Sequence, residues 1–222
     1  MGYALDFDWL YGALPQLASG ALTTVFLTVV TAIIGIFFSI LGAAGRESRF
    51  APVRLAVSTY VEFIRNTPFL AQLFFFYFGL PSIGIVLNPI ASAILALTVN
   101  VTAYGIMIVG AGLDAVPTGQ WEAGRVLGLS SIQIFVRIVL PQALKVISPA
   151  LTSQIVITLL DSAVVSQISV RELTYEADLL QARTFRPFET YLVVTLIYLA
   201  LSILLRRSML LSQSRLLPTG AR

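Results

Sequence analysis

Long apolar runs alternate with short polar segments along this chain, and the pattern predicts membrane-spanning helices. No charged residue occurs between Asp8 and Arg46, and none occurs between Arg65 and Asp114. One span needs about 20 apolar residues, so the first interval exceeds one span and the second can hold two spans joined by a turn at residues 80–89. We therefore predict five spans, at about residues 20–44, 57–80, 90–112, 146–168 and 187–205.

Two further segments are predicted to lie at the membrane surface. Residues 10–18 are expected to be an interfacial segment, because Trp9 and Tyr11 are aromatic residues of the kind that anchor chains at the membrane–water boundary. Residues 170–182 carry acidic side chains and are expected to form a helix outside the bilayer.

The positive charges orient these spans, since cytoplasmic loops carry an excess of arginine and lysine. They collect after the first predicted span, in the polar segment of residues 114–145 and after the fifth span, whereas the loop between spans two and three is uncharged. The N-terminus is therefore predicted to be periplasmic and the C-terminus cytoplasmic. The cations on the predicted inner side are Arg46, Arg49, Arg54, Arg125, Arg137, Lys145, Arg206, Arg207, Arg215 and Arg222.

Composition places the chain among polytopic membrane proteins with a single domain, residues 1–222. It is 57% hydrophobic and only 11% charged, whereas soluble domains carry about 25% charged residues. It has no cysteine and no histidine, which excludes disulfides, thiolate metal sites, cysteine nucleophiles and histidine bases within it. Asp6 and Asp8 stand where a cleavable signal peptide needs basic residues, so none is expected.

The polar segment of residues 114–145 has the local chemistry of two short helices and a corner. Thr118 can cap the first helix, and Glu122 near its start suits the helix dipole. Gly128 is a good residue for the turn after that helix, with Leu129 as the accompanying apolar contact.

Ser130 and Gln133 have the spacing of a capping box for the second helix. An apolar face follows, and Pro141 is predicted to stop or bend the helix there. The alternative is an amphipathic helix lying on the membrane surface. The predicted apolar face consists of Ile132, Phe135, Val136 and Val139.

Glu122-Ala123, Gly128 six residues after the glutamate, Ile138 and then Leu140-Pro141 resemble the EAA loop of ABC-importer permeases. The resemblance implies a cytoplasmic loop that docks into a groove on an ATPase subunit. The second alanine of that motif is Gly124 here, which stays small but loosens the helix by about 1 kcal/mol. The residues expected at this coupling surface are Glu122, Ala123, Gly124, Gly128 and Leu129.

Further stretches over about residues 18–208 resemble the polar-amino-acid uptake branch of these permeases. The resemblance implies an all-α permease of the type I importer fold in the bacterial inner membrane. Its implied partners are a cytoplasmic ABC ATPase dimer, a second identical or homologous permease subunit and a periplasmic substrate-binding protein, with no nucleic acid. ATP and magnesium would be bound by the ATPase. The matching stretches are residues 60–68, Leu80-Pro81, Ala103-Tyr104, residues 141–144, Pro149, residues 161–166, Tyr191 and residues 197–199.

This chain departs from the branch at three positions that face the central pathway in the family. Met107 stands in place of a glutamate, Gly110 in place of an arginine and Leu160 in place of a lysine. Either a homologous partner holds the substrate-contacting groups, or this chain forms a more neutral pathway. The candidate pathway residues are Asn100, Tyr104, Met107, Asp161 and Ser162.

Asp161 is a charge inside a predicted span, where ionisable groups are costly and are functional by default. It is expected to contact a substrate amino group or line the gate, or else to form a structural pair. Glu62 and Arg65, three residues apart, are expected to form an ion pair.

Three function classes remain open at this point. The first is an ATP-driven importer permease that moves a polar amino acid into the cytoplasm. The chain itself is not the ATPase, because it has no phosphate-binding loop of the G-x-x-x-x-G-K-[ST] type. The second is an ion-coupled secondary carrier using Asp161, although such carriers commonly show paired repeats that this chain lacks. The third is an intramembrane enzyme, for which no catalytic residue or metal ligand set is evident.

Overall fold

The computed structural model describes the backbone of residues 5–216 and the side chains of residues 5–212. All regular elements in this part of the chain are helical, which confirms the all-α part of the predicted fold class. The helices are α1 (Leu10–Arg46), α2 (Ala51–Arg65), α3 (Phe69–Phe74), α4 (Pro89–Asp114), α5 (Thr118–Val126), α6 (Ser131–Ile134), α7 (Leu140–Asp161), α8 (Leu173–Thr184) and α9 (Pro187–Leu216).

Four helical segments of the described chain are long and apolar enough to cross a membrane. They correspond to the predicted spans one, three, four and five. Their bounds are Leu10–Arg46, Pro89–Asp114, Ser131–Ile168 and Pro187–Ser212. The fourth includes α6, a π-helical turn at Phe135–Val139, α7 and a 3-10 turn at Ser162–Ile168.

The second span, predicted over residues 57–80, is not a single helix. α2 ends at Arg65, and α3 begins at Phe69 and continues through a π turn and a 3-10 turn to Ile83. Pro68 causes the break, since a proline disfavours helical backbone at the residue before it. Thr67 closes the end of α2, because its hydroxyl donates to the Phe63 carbonyl over 2.9 Å.

Residues 10–18, predicted to be interfacial, do not form a separate element, because α1 is continuous from Leu10. Ala13 and Leu17 are buried there in one cluster with Leu173 of α8 and Val194 of α9. Tertiary packing of this apolar face extends the helix past the segment that the aromatic anchors suggested. The helix predicted at residues 170–182 is present as α8.

Small residues let α4 pack closely between α1 and α7. A Cβ added at Gly35 would overlap Val101, and one added at Gly42 would overlap Ile106. On the other side of α4, a Cβ at Gly112 would lie 2.5 Å from Ile147. Close backbone approach of this kind gives membrane helices the dispersion contacts that hold them together.

A fully buried glutamate fastens α8 to α1 and α9. One carboxylate oxygen of Glu172 accepts from the Tyr198 hydroxyl (2.6 Å) and the Thr24 hydroxyl (3.3 Å), and the other accepts from the Tyr175 amide (2.8 Å). Glu172 caps α8 in this way. Burial raises the pKa of this carboxyl above its ordinary value, against the opposing effect of the hydrogen bonds.

Glu176, the next buried carboxylate, accepts from Arg171 Nε at 2.8 Å and from Gln16 Nε2 at 2.6 Å. Glu172 and Glu176 therefore both tie α8 to α1.

Candidate coupling surface and transport pathway

The first helix of the polar corner begins one residue earlier than predicted. Thr118 is the first residue of α5 and not its cap, because the extended backbone of Pro117 occupies the cap position without a side-chain hydrogen bond. A proline at this point has no N–H to leave unsatisfied. Trp121 of α5 packs on Phe135 with ring centroids 6.5 Å apart, so the helix is anchored to the segment that follows it.

The turn between the two helices is the predicted one. Gly128 has a φ of 73°, and the Leu129 amide donates to the Gly124 carbonyl (3.1 Å) while the Gly128 amide donates to the Arg125 carbonyl (3.0 Å). This pair of bonds is a Schellman motif, which needs a left-handed residue after the helix.

The predicted capping box of α6 is also present. The Gln133 amide donates to Ser130 Oγ over 3.3 Å, and the Ser130 amide donates to Gln133 Oε1 over 2.8 Å. The second helix is therefore fixed at its start directly after the corner.

The predicted apolar face of this second helix is only partly correct. Ile132 is 76% exposed and Val136 is 52% exposed, whereas Ile134 and Val139 are buried. The buried pair is five residues apart, the spacing of the π turn at Phe135–Val139. Pro141 has no N–H to bond the carbonyl of residue 137, but it does not stop the helix. The wider π turn before it accommodates the missing hydrogen bond.

The predicted coupling residues divide between the surface and the interior of the corner. Glu122 and Ala123 are exposed on α5, and Gly128 is exposed at the turn. Gly124 is buried, and a Cβ added to it would lie 2.6 Å from Ile134 Cγ1. The small size of Gly124 thus accommodates this chain's own α6. Leu129 is half-buried against the apolar cluster that contains Ile134.

Apolar residues surround the exposed part of the corner. Val126 is 88% exposed and Leu127 is 75% exposed, close in sequence to Glu122 and Ala123. Exposed apolar residues beside charged ones are available for a protein–protein contact.

A cavity of about 640 Å³ lies between the corner and the inner ends of the spans. Its walls include Glu47 after α1, Asp114 at the end of α4, and Trp121 and Phe135 of the corner. The corner therefore lies directly beneath α1 and α4 as well as being continuous with α7.

Three of the predicted pathway residues lie along one side of α4. Asn100, Tyr104 and Met107 follow at i, i+4 and i+7, which places them on the same helix face. Asn100 Nδ2 donates to Gln72 Oε1 over 3.2 Å, and Gln72 in turn donates to the Ile64 carbonyl over 2.8 Å. Asn100 thus joins α4 to the break between α2 and α3.

The two half-buried members of this face each meet an arginine. The guanidinium of Arg65 lies over the Tyr104 ring, 5.4 Å from its centroid. Arg46, in the last turn of α1, places NH1 2.8 Å from Met107 Sδ. The predicted Glu62–Arg65 ion pair is wrong, because the Glu62 carboxylate accepts from the Asn66 side-chain Nδ2 (3.1 Å) while the Arg65 guanidinium lies over the Tyr104 ring of α4.

The other two predicted pathway residues lie at the junction of α7 with its 3-10 turn. Asp161 is half-buried, and its carboxylate makes no hydrogen bond or ion pair within the described residues. Ser162 is fully buried and donates to the Leu159 carbonyl over 2.7 Å, so its hydroxyl is used within its own helix. No hydrogen bond in the described chain joins this pair to the α4 face.

The contacts of Arg46 and Glu172 were not found from the sequence. Arg46 looked like one more positive charge of a cytoplasmic loop, and its partner Met107 lies 61 residues away. Glu172 looked like part of an exposed acidic segment. Among the described residues, no group of three histidines, cysteines or carboxylates is placed to hold a metal ion.

Known proteins resemble this chain over most of its length. The profile of the family described as binding-protein-dependent transport system inner membrane component matches residues 35–218. The chain is 36% identical over 184 residues to the L-cystine transport system permease protein TcyB of Bacillus subtilis (strain 168), covering 82% of this chain and 79% of that protein. It is 37% identical over 180 residues to the probable glutamine ABC transporter permease protein GlnM of the same organism, covering 80% and 82%.

Solved structures share the fold. The crystal structure of an amino acid ABC transporter with histidines has a TM-score of 0.86 and 34% identity, covering 96% of this chain and 100% of that one. An inward-facing structure of the MetNI methionine ABC transporter has a TM-score of 0.72 at 22% identity, covering 95% of this chain and 99% of that one, and supports the fold alone. With its apolar spans and its polar corner, the chain is a multi-pass membrane protein that belongs to the family of inner membrane components of binding-protein-dependent transport systems.

Proposed function

We propose that this chain is the transmembrane permease subunit of an ATP-driven importer that moves a polar amino acid from the periplasm into the cytoplasm by alternating access. The observation that carries the proposal is the rigid, exposed corner of α5 and α6, joined directly to a membrane span, in a chain of this transport family. Relatives named as cystine and glutamine permeases support an amino acid as the cargo.

The corner would couple the spans to a separate ATPase dimer, which would hold ATP and magnesium. Glu122 and Ala123 are among the exposed groups available to that partner. The Schellman turn and the capping box join α5 to α6 without a flexible linker, and α6 continues into α7. A displacement of α5 on nucleotide binding would therefore move α7 as a rigid body.

The chain would cross the membrane five times, with α2 and α3 together forming the second crossing. Tyr60 of α2 donates to the Val99 carbonyl of α4 over 2.6 Å, and Leu73 of α3 is buried in a cluster with Leu97 of α4. The two short helices thus both pack against the middle of α4. With the arginines of the inner loops, this topology puts the N-terminus in the periplasm and the C-terminus in the cytoplasm.

The pathway would run along the α4 face of Asn100, Tyr104 and Met107 and past Asp161 and Ser162. A second permease subunit, identical or homologous, would complete it, and a periplasmic binding protein would deliver the substrate. The ion-coupled carrier receives no support from the relatives, whose names describe transport-system and ABC permeases.

Reconstitution in proteoliposomes tests the proposal. The chain is purified with the ATPase and binding protein that accompany it, and amino acid uptake is measured with and without ATP. Glu122→Lys is expected to insert normally and to abolish uptake, while Asp8→Lys makes the same change of charge at the outer end and leaves uptake intact. Uptake by this chain alone under an ion gradient would establish the carrier instead.

A further inference from the structure

Two arginines from different helices converge on one face of α4. Arg65 ends α2 and lies over the Tyr104 ring, and Arg46 lies in the last turn of α1 and contacts Met107. Tyr104 and Met107 are three residues apart, so their Cβ atoms are neighbours at about 5–6 Å on the helix surface. The two guanidinium groups are therefore presented to a common region.

This region lies deep in the membrane-spanning part of the chain. Tyr104 is ten residues from Asp114 and fifteen from Pro89, the two ends of α4. At a rise of about 1.5 Å per residue, that is roughly 15 Å and 22 Å from the helix ends. Arg46, in the last turn of α1, reaches this face from the inner end of the helices. Charged groups that face the interior of a bundle or a water-filled cavity mark substrate pathways.

Neither arginine has a carboxylate partner in the described part of the chain. The ion pairs there join Arg171 and Arg186 to carboxylates at the outer end. Two cations on one face repel each other, and an anion between them would replace that repulsion by attraction.

Helix-end electrostatics explains part of this arrangement. Each arginine lies in the last turn of its helix, where the dipole favours a cation. That accounts for a positive charge at each end but not for the direction of both side chains toward Tyr104 and Met107.

We propose that Arg46 and Arg65 form a subsite for the carboxylate of the transported amino acid, on the Tyr104–Met107 face of α4. The planar, multiply donating guanidinium group suits a carboxylate better than any other side chain. Gly110 leaves space one turn nearer the cytoplasm, because a Cβ added there would meet nothing within 4 Å. This inference rests on the proposed function and specifies which end of the substrate the α4 face contacts.

A single cysteine can report whether the subsite is occupied. The chain has no cysteine of its own, so Gly110→Cys gives one label site in the open space beside Met107. The complex with its ATPase, in nanodiscs and without binding protein, is labelled with a water-soluble maleimide. The labelling rate is measured with L-glutamine, L-arginine or L-cystine, and with the α-carboxamide of each.

At least one amino acid is expected to slow labelling, and its α-carboxamide is expected to need at least tenfold higher concentration for the same protection. Arg65→Gln should remove this difference, Arg65→Lys should restore part of it, and Arg46→Gln should reduce it. Arg54→Gln, an exposed arginine in the first turn of α2, is the matched control and should leave it unchanged.

Equal protection by the amino acid and its α-carboxamide would overturn the proposal. Protection by phosphatidylglycerol without any amino acid would also overturn it, since the anion would then be a lipid headgroup. A third outcome would also overturn the proposal: labelling that is slow only while a second permease subunit is bound, and that no amino acid changes. The anion between the arginines would then belong to that subunit. The complex is first required to show ATP-dependent uptake, because failure of uptake contradicts the proposed function. In a complex that transports, the absence of a difference between an amino acid and its α-carboxamide contradicts only the subsite.

Discussion

Replacing Gly124 by alanine is a direct test of how the coupling corner is built. A Cβ at this position would lie 2.6 Å from Ile134 Cγ1, 2.9 Å from Cδ1 and 3.2 Å from Cγ2. Ile134 is only 1% exposed and is packed in the cluster beneath the corner. The methyl group of Gly124→Ala therefore enters occupied space.

The size of the effect follows from two opposing contributions. Alanine is favoured over glycine in a helix by about 1 kcal/mol. Overpacking a filled site costs about 1–3 kcal/mol, and Ile134 cannot move aside easily because a β-branched side chain has one preferred χ1 in a helix. Gly124→Ala is thus expected to destabilise the corner by up to about 2 kcal/mol.

A double-mutant cycle isolates the contact. Ile134→Ala removes all three atoms that the new methyl group would meet, so in that background Gly124→Ala should stabilise by up to about 1 kcal/mol. The coupling energy between the two substitutions should be about 1–3 kcal/mol.

Hydrogen exchange measures this energy locally. The amide of Leu129, bonded to the Gly124 carbonyl, reports the free energy of opening the corner in the parent chain and the three variants. Gly124→Ala should speed its exchange in the parent chain and slow it in the Ile134→Ala background. The same effect of Gly124→Ala in both backgrounds would refute the packing of Gly124 against Ile134.

Three other predictions follow from the same structure. Gly128→Ala forces a side chain into a left-handed turn and should cost the corner about 1–2 kcal/mol, seen as faster exchange of the same amide; unchanged exchange would argue against the Schellman turn. Because burial raises the pKa of Glu172, its contribution to stability is full below the unfolded pKa and is lost as pH rises through the folded pKa. The melting temperature in detergent should therefore rise on acidification from pH 7.5 to pH 5, and Glu172→Gln should weaken that dependence; equal slopes in both proteins would contradict the assignment. Asp161→Asn removes a half-buried charge that has no hydrogen bond or ion pair in the described chain, so it should reduce uptake without lowering the melting temperature; a clear loss of stability would indicate a structural pair.

Local chemistry was enough to predict the turn of the polar corner and the cap of its second helix. The turn at Gly128 and the capping box at Ser130 each depend on residues within a few positions of one another, so their geometry follows from sequence spacing. Hydropathy predicted spans one, three, four and five, because a long apolar run is also a property of neighbouring residues. It missed the break before Phe69 because a count of apolar residues does not register what Pro68 does to the backbone.

The pathway and the outer network depend on contacts between distant parts of the chain. Arg46 meets Met107 across 61 residues, and Thr24 meets Glu172 across 148 residues. Neither pair has a spacing in the sequence that would indicate a contact. The sequence also does not distinguish a buried glutamate from an exposed one. The sequence did indicate the α4 face of Tyr104 and Met107, but the cations that meet it could be identified only from the fold.

A single-cysteine cross-link tests the central claim, the docking of the corner on an ATPase, most directly. In the naturally cysteine-free chain, Ala123→Cys places one thiol on the exposed face of α5, and Leu22→Cys places a control thiol on the exposed surface of α1. A short bifunctional reagent is applied to membranes that hold the complete transporter. The account predicts a cross-link from residue 123 to the ATPase whose yield changes when ATP binds, and none from residue 22. Absence of any cross-link from residue 123, in a transporter that imports its substrate, would contradict it.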